Sequence, residues 1–232
     1  MYNSSGMPMV DNTGNQFVNI PEKIWLASVF IMIAAIVDFL DGFVARLLKA
    51  SSEMGKQLDS LSDVVSFGVA PSIIAYQFLR LCFARQENGL DISITLLLPA
   101  FILPCAAAYR LARFNLDPKQ SLEFKGLPVP AAGIVIASLP LVYWFSDQAW
   151  ILNLLLNYWF WYALLILLSA LMVSRLPLLS LKFKDYSFGG NMPKWILAAV
   201  ALVSALLLKW LAIPVTIMVY IIVSLIFKNK FR

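Results

Sequence analysis

The sequence predicts an all-α protein, a polytopic bundle of transmembrane helices with about seven spans. Of its 232 residues, 61% are apolar and only 13% are charged, whereas a soluble domain carries about 25% charged residues. The apolar residues fall in runs close to the roughly 20 residues that a helix needs to cross the hydrocarbon core. An excess of five positive charges is too sparse for a nucleic-acid interface, so we expect no nucleic-acid partner.

Seven apolar segments are expected to form the spans. After a polar N-terminal segment, 1–23, the first five segments cover 24–48, 57–84, 93–113, 129–146 and 149–174. The last apolar run, Trp195 to Phe227, is too long for one span at about 1.5 Å per residue. Its interruption at Lys209-Trp210, shortly before Pro214, predicts a tight hairpin between two short helices.

The basic residues predict the orientation of the bundle. Fourteen of the 18 lysines and arginines follow the first, third, fifth and last segments and therefore share one side. The positive-inside rule makes that side cytoplasmic. The N-terminal segment then lies outside and the C-terminus inside, which requires an odd number of spans and fits seven.

Missing residue types exclude several chemistries. The chain has no His, and its two cysteines, Cys82 and Cys105, both lie inside apolar runs. Imidazole catalysis, a zinc site and a disulfide framework are therefore excluded. Any catalytic or binding group must therefore be a carboxylate, an Arg or Lys side chain, a hydroxyl, or a metal ion bound by oxygen ligands.

Four aspartates form a pattern across the first two helices. Asp38 and Asp41 are three residues apart and Asp59 and Asp63 are four apart, so each pair shares a helix face. The short turn between the two helices brings all four carboxylates to the cytoplasmic boundary of the membrane. Because such a group is costly there unless its charge is compensated, and because hard oxygen ligands suit Mg²⁺ or Mn²⁺, we expect divalent cations at this point.

Small and basic residues accompany the acids. Gly42 and Ala45 lie four positions after the two acids of the first helix, and Gly55 lies four before the first acid of the second. Absent side-chain bulk leaves room for a large ligand beside the backbone, although small residues also serve helix packing in membranes. The basic residues that border the cluster are Arg46, Lys49 and Lys56. Together they favour a phosphate-bearing ligand bridged to the protein by metal.

The pattern D-x2-D-G-x2-A-R-x8-G-x3-D-x3-D over 38–63 resembles the signature of the CDP-alcohol phosphotransferase family, and all eight fixed positions match. The segments 60–72, 109–115 and 124–130 are similar to the bacterial and archaeal phosphatidylserine synthase branch, and the resemblance covers about 24–135. It implies transfer of the phosphatidyl group from CDP-diacylglycerol to L-serine in phospholipid biosynthesis, with phosphatidylserine and CMP as products. Family members usually begin with one more transmembrane helix, whereas residues 1–22 are polar. We therefore expect either that this sequence starts after that helix, which would make eight spans, or that the protein manages without it.

The resemblance also implies roles for individual residues. Two divalent ions, Mg²⁺ or Mn²⁺, would bind the carboxylates of Asp38, Asp41, Asp59 and Asp63. Asp63 would also be the base that takes the proton of the serine hydroxyl. Gly42, Arg46 and Ser52 would contact CDP-diacylglycerol. The small residues Ala45 and Gly55 would leave room for it.

The carboxylate of serine requires a cation near this site. Arg110 and Arg113, at the cytoplasmic end of the third segment, are the candidates because Arg binds carboxylate or phosphate with two parallel hydrogen bonds. The alternative is that both anchor the protein to lipid headgroups.

The expected organisation is a non-cytoplasmic segment 1–23, a catalytic core 24–146 and C-terminal helices 147–232. By family analogy we expect a homodimer in the inner membrane of a bacterial or archaeal cell, among membrane lipids, with its active site facing the cytoplasm. Two alternatives stay open. The acceptor could be glycerol phosphate or inositol phosphate, or the acids could belong to an ion-coupled transporter.

Overall fold

The chain folds into a helical bundle. In the computed structural model, the described residues are 9–10, 16–17, 23–48, 52–86, 92–116, 126–176, 178–179 and 188–227. The α-helices are α1 (Ile24–Leu47), α2 (Glu53–Asp63), α3 (Ala70–Ala84), α4 (Ile102–Leu116), α5 (Val129–Phe145), α6 (Ala149–Leu155), α7 (Tyr158–Val173), α8 (Phe188–Leu208) and α9 (Ala212–Ile226). Two short strands, β1 (Met9–Val10) and β2 (Gln16–Phe17), pair antiparallel ahead of α1. The predicted all-α class is confirmed.

The helices form apolar segments at the predicted positions. Within the described residues, four helical stretches are long and apolar enough to cross a membrane: Ile24–Ala45, Glu53–Ala84, Ile94–Leu116 and Met192–Ile226. The number rises to five if the bent pair α6–α7 forms one span. The fourth predicted segment, α5, is a shorter apolar helix. The fifth is divided into α6 and α7, which meet at 68°, because Asn157 ends one helix and caps the next by accepting a hydrogen bond from the Trp159 amide at 2.9 Å.

The second span contains a wide helical turn that the sequence pattern did not predict. Between α2 and α3, residues Val64–Val69 form a π-helix. Such a turn departs from the regular i to i−4 ladder and is found frequently at functional sites. It follows directly after Asp63, so it sets the direction in which the last acid of the motif faces relative to α3.

The core lies around α5, the most enclosed helix. Eleven of its 17 residues are buried, and it packs against α1, α3, α9 and the π-helix. Gly133 permits the closest approach: a Cβ there would lie 2.6 Å from the Phe67 carbonyl oxygen. On the other face of the π-helix, a Cβ at Gly68 would lie 3.2 Å from Pro104 Cα in α4. The π-helix is therefore held between two helices at backbone contact distance.

The connection into α5 is fixed to the end of α7. Gly126 adopts φ +75°, and its amide donates to the Leu176 carbonyl at 2.9 Å. A Cβ at this position would lie 2.6 Å from the carbonyl oxygen of Met172. Both the left-handed conformation and the crowding by carbonyls require glycine here.

The last two helices form the predicted hairpin. α8 and α9 pack against each other across the short 3₁₀ turn Lys209–Leu211. The hydroxyls of Ser204 and Thr216 lie 3.2 Å apart between them. Helix α8 begins at Phe188, earlier than the predicted Trp195, and α9 packs against α5, so the hairpin is attached to the core.

Candidate functional site

The four aspartates of the motif lie on two helices, as predicted. Asp38 and Asp41 are in the second half of α1, the first half-buried and the second exposed. Asp59 and Asp63 are in α2, where Asp59 is exposed and Asp63 is half-buried at the last position. One acid of each pair therefore faces the protein interior.

Electrostatic interactions connect the two helices. The carboxyl group of Asp63 lies within electrostatic range of those of Asp38 and Asp59, which repel it, and of the Arg110 guanidinium, which attracts it. Asp38 is repelled by Asp59 and by its helix neighbour Asp41. The fold therefore places carboxylates from α1 and α2 within electrostatic range of one another and of a cation from α4.

Asp63 is the most constrained of these acids. Its Oδ1 atom is buried and has no hydrogen-bond partner among the described residues. A buried carboxylate oxygen without a partner carries a desolvation cost, and such groups in native proteins often have a catalytic or ion-binding role. The π-helix that begins at Val64 holds this side chain at the junction of two helices.

The donor chemistry fits a divalent cation, although the present side-chain positions do not form a complete ligand set. Within the described ranges, no three acidic or thiol side chains are placed closely enough to hold a metal ion. The group nevertheless consists of hard oxygen donors within electrostatic range of one another, and the buried Oδ1 of Asp63 has no hydrogen-bond partner in the part of the chain that the structure describes. Oxygen donors of this kind are those that Mg²⁺ and Mn²⁺ prefer.

The small residues of the motif flank the acids. Gly42 is exposed on α1 and Ala45 is half-buried one turn further on. Ser52 caps α2: its hydroxyl accepts a hydrogen bond from the Gly55 amide at 3.0 Å. A Cβ at Gly55 would lie 3.0 Å from that hydroxyl, so the glycine leaves room for the cap as well as for a ligand.

Of the three basic residues that border the acids, the structure describes the side chain of one, Lys56. Lys56 forms an exposed ion pair with Glu53 at 3.0 Å. Lys49 and the side chain of Arg46 lie outside the described residues. The predicted contact of Arg46 with a nucleotide-linked lipid therefore stays a prediction.

Two arginines that were predicted to have the same role, Arg110 and Arg113, differ in their interactions. Arg113 donates from Nη1 to the Val173 carbonyl at 3.0 Å and so caps the C-terminal end of α7. Arg110 interacts with Asp63, Arg113 and Tyr220, and its buried Nε has no hydrogen-bond partner in the described part of the chain. Arg110 thus lies within electrostatic range of Asp63, whereas Arg113 has a hydrogen-bond partner in α7.

Asn115 was not among the predicted site residues. Its amide nitrogen lies 3.0 Å from the Ser60 hydroxyl and 3.3 Å from Gln57 Oε1. These contacts connect the end of α4 to α2, the helix that carries Asp59 and Asp63. The sequence signal for Asn115 was its place at the end of the segment 109–115, which resembles the family, two residues after Arg113.

Comparison with known proteins identifies the same region. A family model described as CDP-alcohol phosphatidyltransferase matches residues 15–159. A CDP-diacylglycerol–serine O-phosphatidyltransferase of Bacillus subtilis is 37% identical over 124 residues, 50% of this chain and 61% of that protein. One of Mycobacterium tuberculosis is 32% identical over 195 residues, 81% of this chain and 64% of that protein.

An archaeal relative is also similar. An archaetidylserine synthase of Methanothermobacter thermautotrophicus is 34% identical over 123 residues, 52% of this chain and 48% of that protein. The chain thus matches between about half and two thirds of the length of these three relatives. The match to the family model includes every aspartate of the motif and both arginines of α4.

Proposed function

Because the chain belongs to the CDP-alcohol phosphatidyltransferase family, we propose that it transfers the phosphatidyl group of CDP-diacylglycerol to the hydroxyl of L-serine. The products are phosphatidylserine and CMP. The observation that carries the proposal is that Asp38, Asp59 and Asp63, from two helices, lie within electrostatic range of one another, with Arg110 in range of Asp63. The choice of serine is supported by the names of the relatives, which are serine phosphatidyltransferases and an archaetidylserine synthase.

The proposed reaction is a displacement at the phosphorus that carries diacylglycerol. The serine hydroxyl oxygen bonds to this phosphorus, and the bond from phosphorus to the bridging oxygen of CMP breaks. Asp63 accepts the hydroxyl proton, a role that its buried Oδ1, which has no hydrogen-bond partner among the described residues, supports. General-base catalysis of this kind typically contributes about 10²–10⁴-fold in rate.

Asp38, Asp41, Asp59 and Asp63 are the residues that we expect to hold two divalent ions. When bound, such ions neutralise negative charge that develops on the leaving phosphate. The protein itself binds and orients the reactants: Gly42, Ala45 and Gly55 leave space for the nucleotide-linked lipid. Arg46 and Ser52 are the proposed polar contacts to it.

The first experiment measures the reaction directly. We expect purified protein with CDP-diacylglycerol and L-serine to release CMP and form phosphatidylserine in equal amounts. Chelation with EDTA should reduce the rate to background, because uncompensated carboxylates repel a pyrophosphate. Added Mg²⁺ or Mn²⁺ should restore it. The measurement is CMP release together with chromatography of the lipid product.

Controls separate this activity from its alternatives. Glycerol phosphate and inositol phosphate replace serine in parallel reactions, and an Asp147→Asn variant changes an exposed acid between α5 and α6, away from the cluster. This variant should keep full activity. CMP release that depends on another acceptor would reject serine, and no release with any acceptor would reject the transferase activity.

Arg110 and Arg113 are expected to differ in their effect on serine. Lys keeps the charge but loses the two parallel hydrogen bonds to a carboxylate, so Arg110→Lys should raise the KM for serine about tenfold with a smaller change in kcat. The measurement is initial rate against serine concentration at saturating CDP-diacylglycerol.

Arg113→Lys is the matched comparison, three residues away on the same helix. Since Arg113 caps α7, the larger expected effect of this change is on stability. If Arg113 also binds serine, its replacement raises the KM as well. An unchanged serine KM in both variants would remove both arginines from the acceptor site.

The chain is an integral membrane protein, with its apolar helices among membrane lipids. We place the site at the cytoplasmic face of the inner membrane, because 14 of the 18 basic residues fall on that predicted side. In this arrangement residues 1–23 lie on the non-cytoplasmic side of the membrane. Residues 24–146 form the catalytic core, and residues 147–232 form the C-terminal transmembrane helices. A homodimer is the proposed assembly.

A further inference from the structure

Helix α2 carries Asp59 and Asp63 but has little apolar packing of its own. None of its eleven residues is buried. It continues into the π-helix at its C-terminal end and packs against α4 along its side. Because burial of apolar side chains contributes little to holding this helix, its position depends on polar contacts with its neighbours.

The side chain of Asn115 supplies such contacts from α4. Its Nδ2 donates to Ser60 Oγ at 3.0 Å and to Gln57 Oε1 at 3.3 Å. Ser60 Oγ donates its own proton to the Lys56 carbonyl at 3.0 Å. A hydroxyl has one proton and two lone pairs, so Ser60 can only accept from α4, and the Asn115 amide is the donor that it needs.

The end of α4 is itself fixed in place. Two residues before Asn115, Arg113 donates to the Val173 carbonyl at the end of α7, and earlier turns of α4 contribute buried residues to the core. Side-chain hydrogen bonds therefore run from α7 through α4 to α2. Asn115 joins the exposed helix α2 to a helix that is held from its other side.

The bonded positions on α2 lie beside the acids. Ser60 directly follows Asp59 and is three residues before Asp63, so Ser60 and Asp63 are neighbours on the helix surface. Gln57 is three residues before Ser60, and bonds to both positions hold a full turn of α2. A helix held over one turn resists rotation about its axis, and such a rotation would displace both carboxylates.

We infer that Asn115 is a positioning residue, whose amide holds α2 against α4 and thereby fixes Asp59 and Asp63 in the geometry that binds a divalent ion. The inference rests on the proposed function, because it takes these two acids as metal ligands. Groups that hold ligands in place in advance strengthen metal binding without contacting the metal.

The test is Asn115→Leu, which keeps the approximate size of the side chain and removes the amide. We expect the dissociation constant for Mn²⁺ to rise about three- to tenfold, the range for one lost hydrogen bond. The measurement is electron paramagnetic resonance of free Mn²⁺ with purified protein and CDP-diacylglycerol in the absence of serine, so that no turnover is needed. An unchanged dissociation constant would overturn the inference.

Ser60→Ala separates positioning from the stability of α2 itself. Ala is a better helix former than Ser, and a bond from Ser back to the carbonyl four residues earlier slightly destabilises a helix. The variant should therefore keep α2 at least as stable, as measured by thermal unfolding, and still weaken Mn²⁺ binding. Mn²⁺ binding that follows the unfolding temperature in both variants would reduce Asn115 to a structural role and contradict the inference.

The serine KM distinguishes positioning from direct contact with the acceptor. At saturating Mn²⁺, Asn115→Leu should have the serine KM of the unmodified protein, because Asn115 acts through α2. A raised serine KM under these conditions would mean that Asn115 binds the acceptor, and the inference would be wrong.

Asn153→Leu is the matched control. It makes the same replacement at an exposed position of α6, a helix that packs against α5 and α7, and should leave Mn²⁺ binding unchanged. An equal loss in this variant would show a general effect of exchanging an exposed amide for an apolar side chain, and would overturn the inference.

The double variant Asn115→Leu with Ser60→Ala tests the coupling. If the two residues act through their shared bond, the double variant binds Mn²⁺ about as Asn115→Leu does, because coupled residues are not additive. Multiplying effects overturn this inference alone. Unmodified protein that binds Mn²⁺ but releases no CMP with serine would reject the proposed reaction, whereas the effect of Asn115 on Mn²⁺ binding would still be measurable.

Discussion

Asp63→Asn is expected to lower kcat by about 10²–10⁴-fold, the usual contribution of a general base, while binding of CDP-diacylglycerol is retained. Asn has nearly the same shape as Asp but cannot accept the hydroxyl proton at neutral pH. The change removes a negative charge from a group that already repels Asp38 and Asp59, so the fold should tolerate it. The measurements are CMP release at saturating serine and binding of the nucleotide-linked lipid.

Asp59→Asn distinguishes the base from a metal ligand. Asp59 is exposed and belongs to the same cluster, so its replacement should raise the Mn²⁺ concentration needed for half-maximal rate and should be partly corrected by excess metal. Asp63→Asn should not recover at any metal concentration. Near-normal turnover of Asp63→Asn would contradict its role as the base.

Gly133→Ala is expected to destabilise the protein by about 3 kcal/mol, at the upper end of the usual range for overpacking a core. The added Cβ would lie 2.6 Å from the Phe67 carbonyl oxygen and 2.8 Å from Phe67 Cα. Because backbone atoms occupy that space, α5 and the π-helix have to separate. The measurement is thermal unfolding of the purified protein in detergent.

Gly68→Ala is the control on the other face of the π-helix. Its Cβ would lie 3.2 Å from Pro104 Cα and 3.3 Å from Ala107 Cβ, a tight contact that a small adjustment relieves, so the loss of stability should be clearly smaller. Equal unfolding temperatures for Gly133→Ala and the unmodified protein would show that the close approach of α5 to Phe67 does not hold in solution.

The parts of the fold that follow from local patterns were predictable. Apolar run lengths located the helices, the break at Lys209-Trp210 located the hairpin, and the spacing of Asp38, Asp41, Asp59 and Asp63 located the acidic cluster on two helices. Each of these features depends on residues within one or two helical turns, so hydropathy and periodicity are sufficient to find them.

The remaining features depend on residues that are distant in sequence. Arg110 and Arg113 are three residues apart and looked equivalent, but Arg113 donates to a carbonyl of α7, whereas Arg110 lies within electrostatic range of a carboxylate of α2. The hydrogen bonds that Asn115 donates to Ser60 and Gln57 join positions more than fifty residues apart. No local pattern specifies which helices become neighbours, so these pairings required the tertiary structure.

The wide turn at Val64–Val69 determines the rotational phase of the acids. A π-helical turn contains one residue more than the α-helical turn it replaces, and one residue corresponds to about 100° around a helix axis. Loss of a single residue from this stretch would restore a regular helix and rotate Asp59 and Asp63 by that angle relative to α3. The direction in which Asp63 faces relative to α3 thus depends on one additional residue in the helix, a feature of chain length rather than of side-chain chemistry.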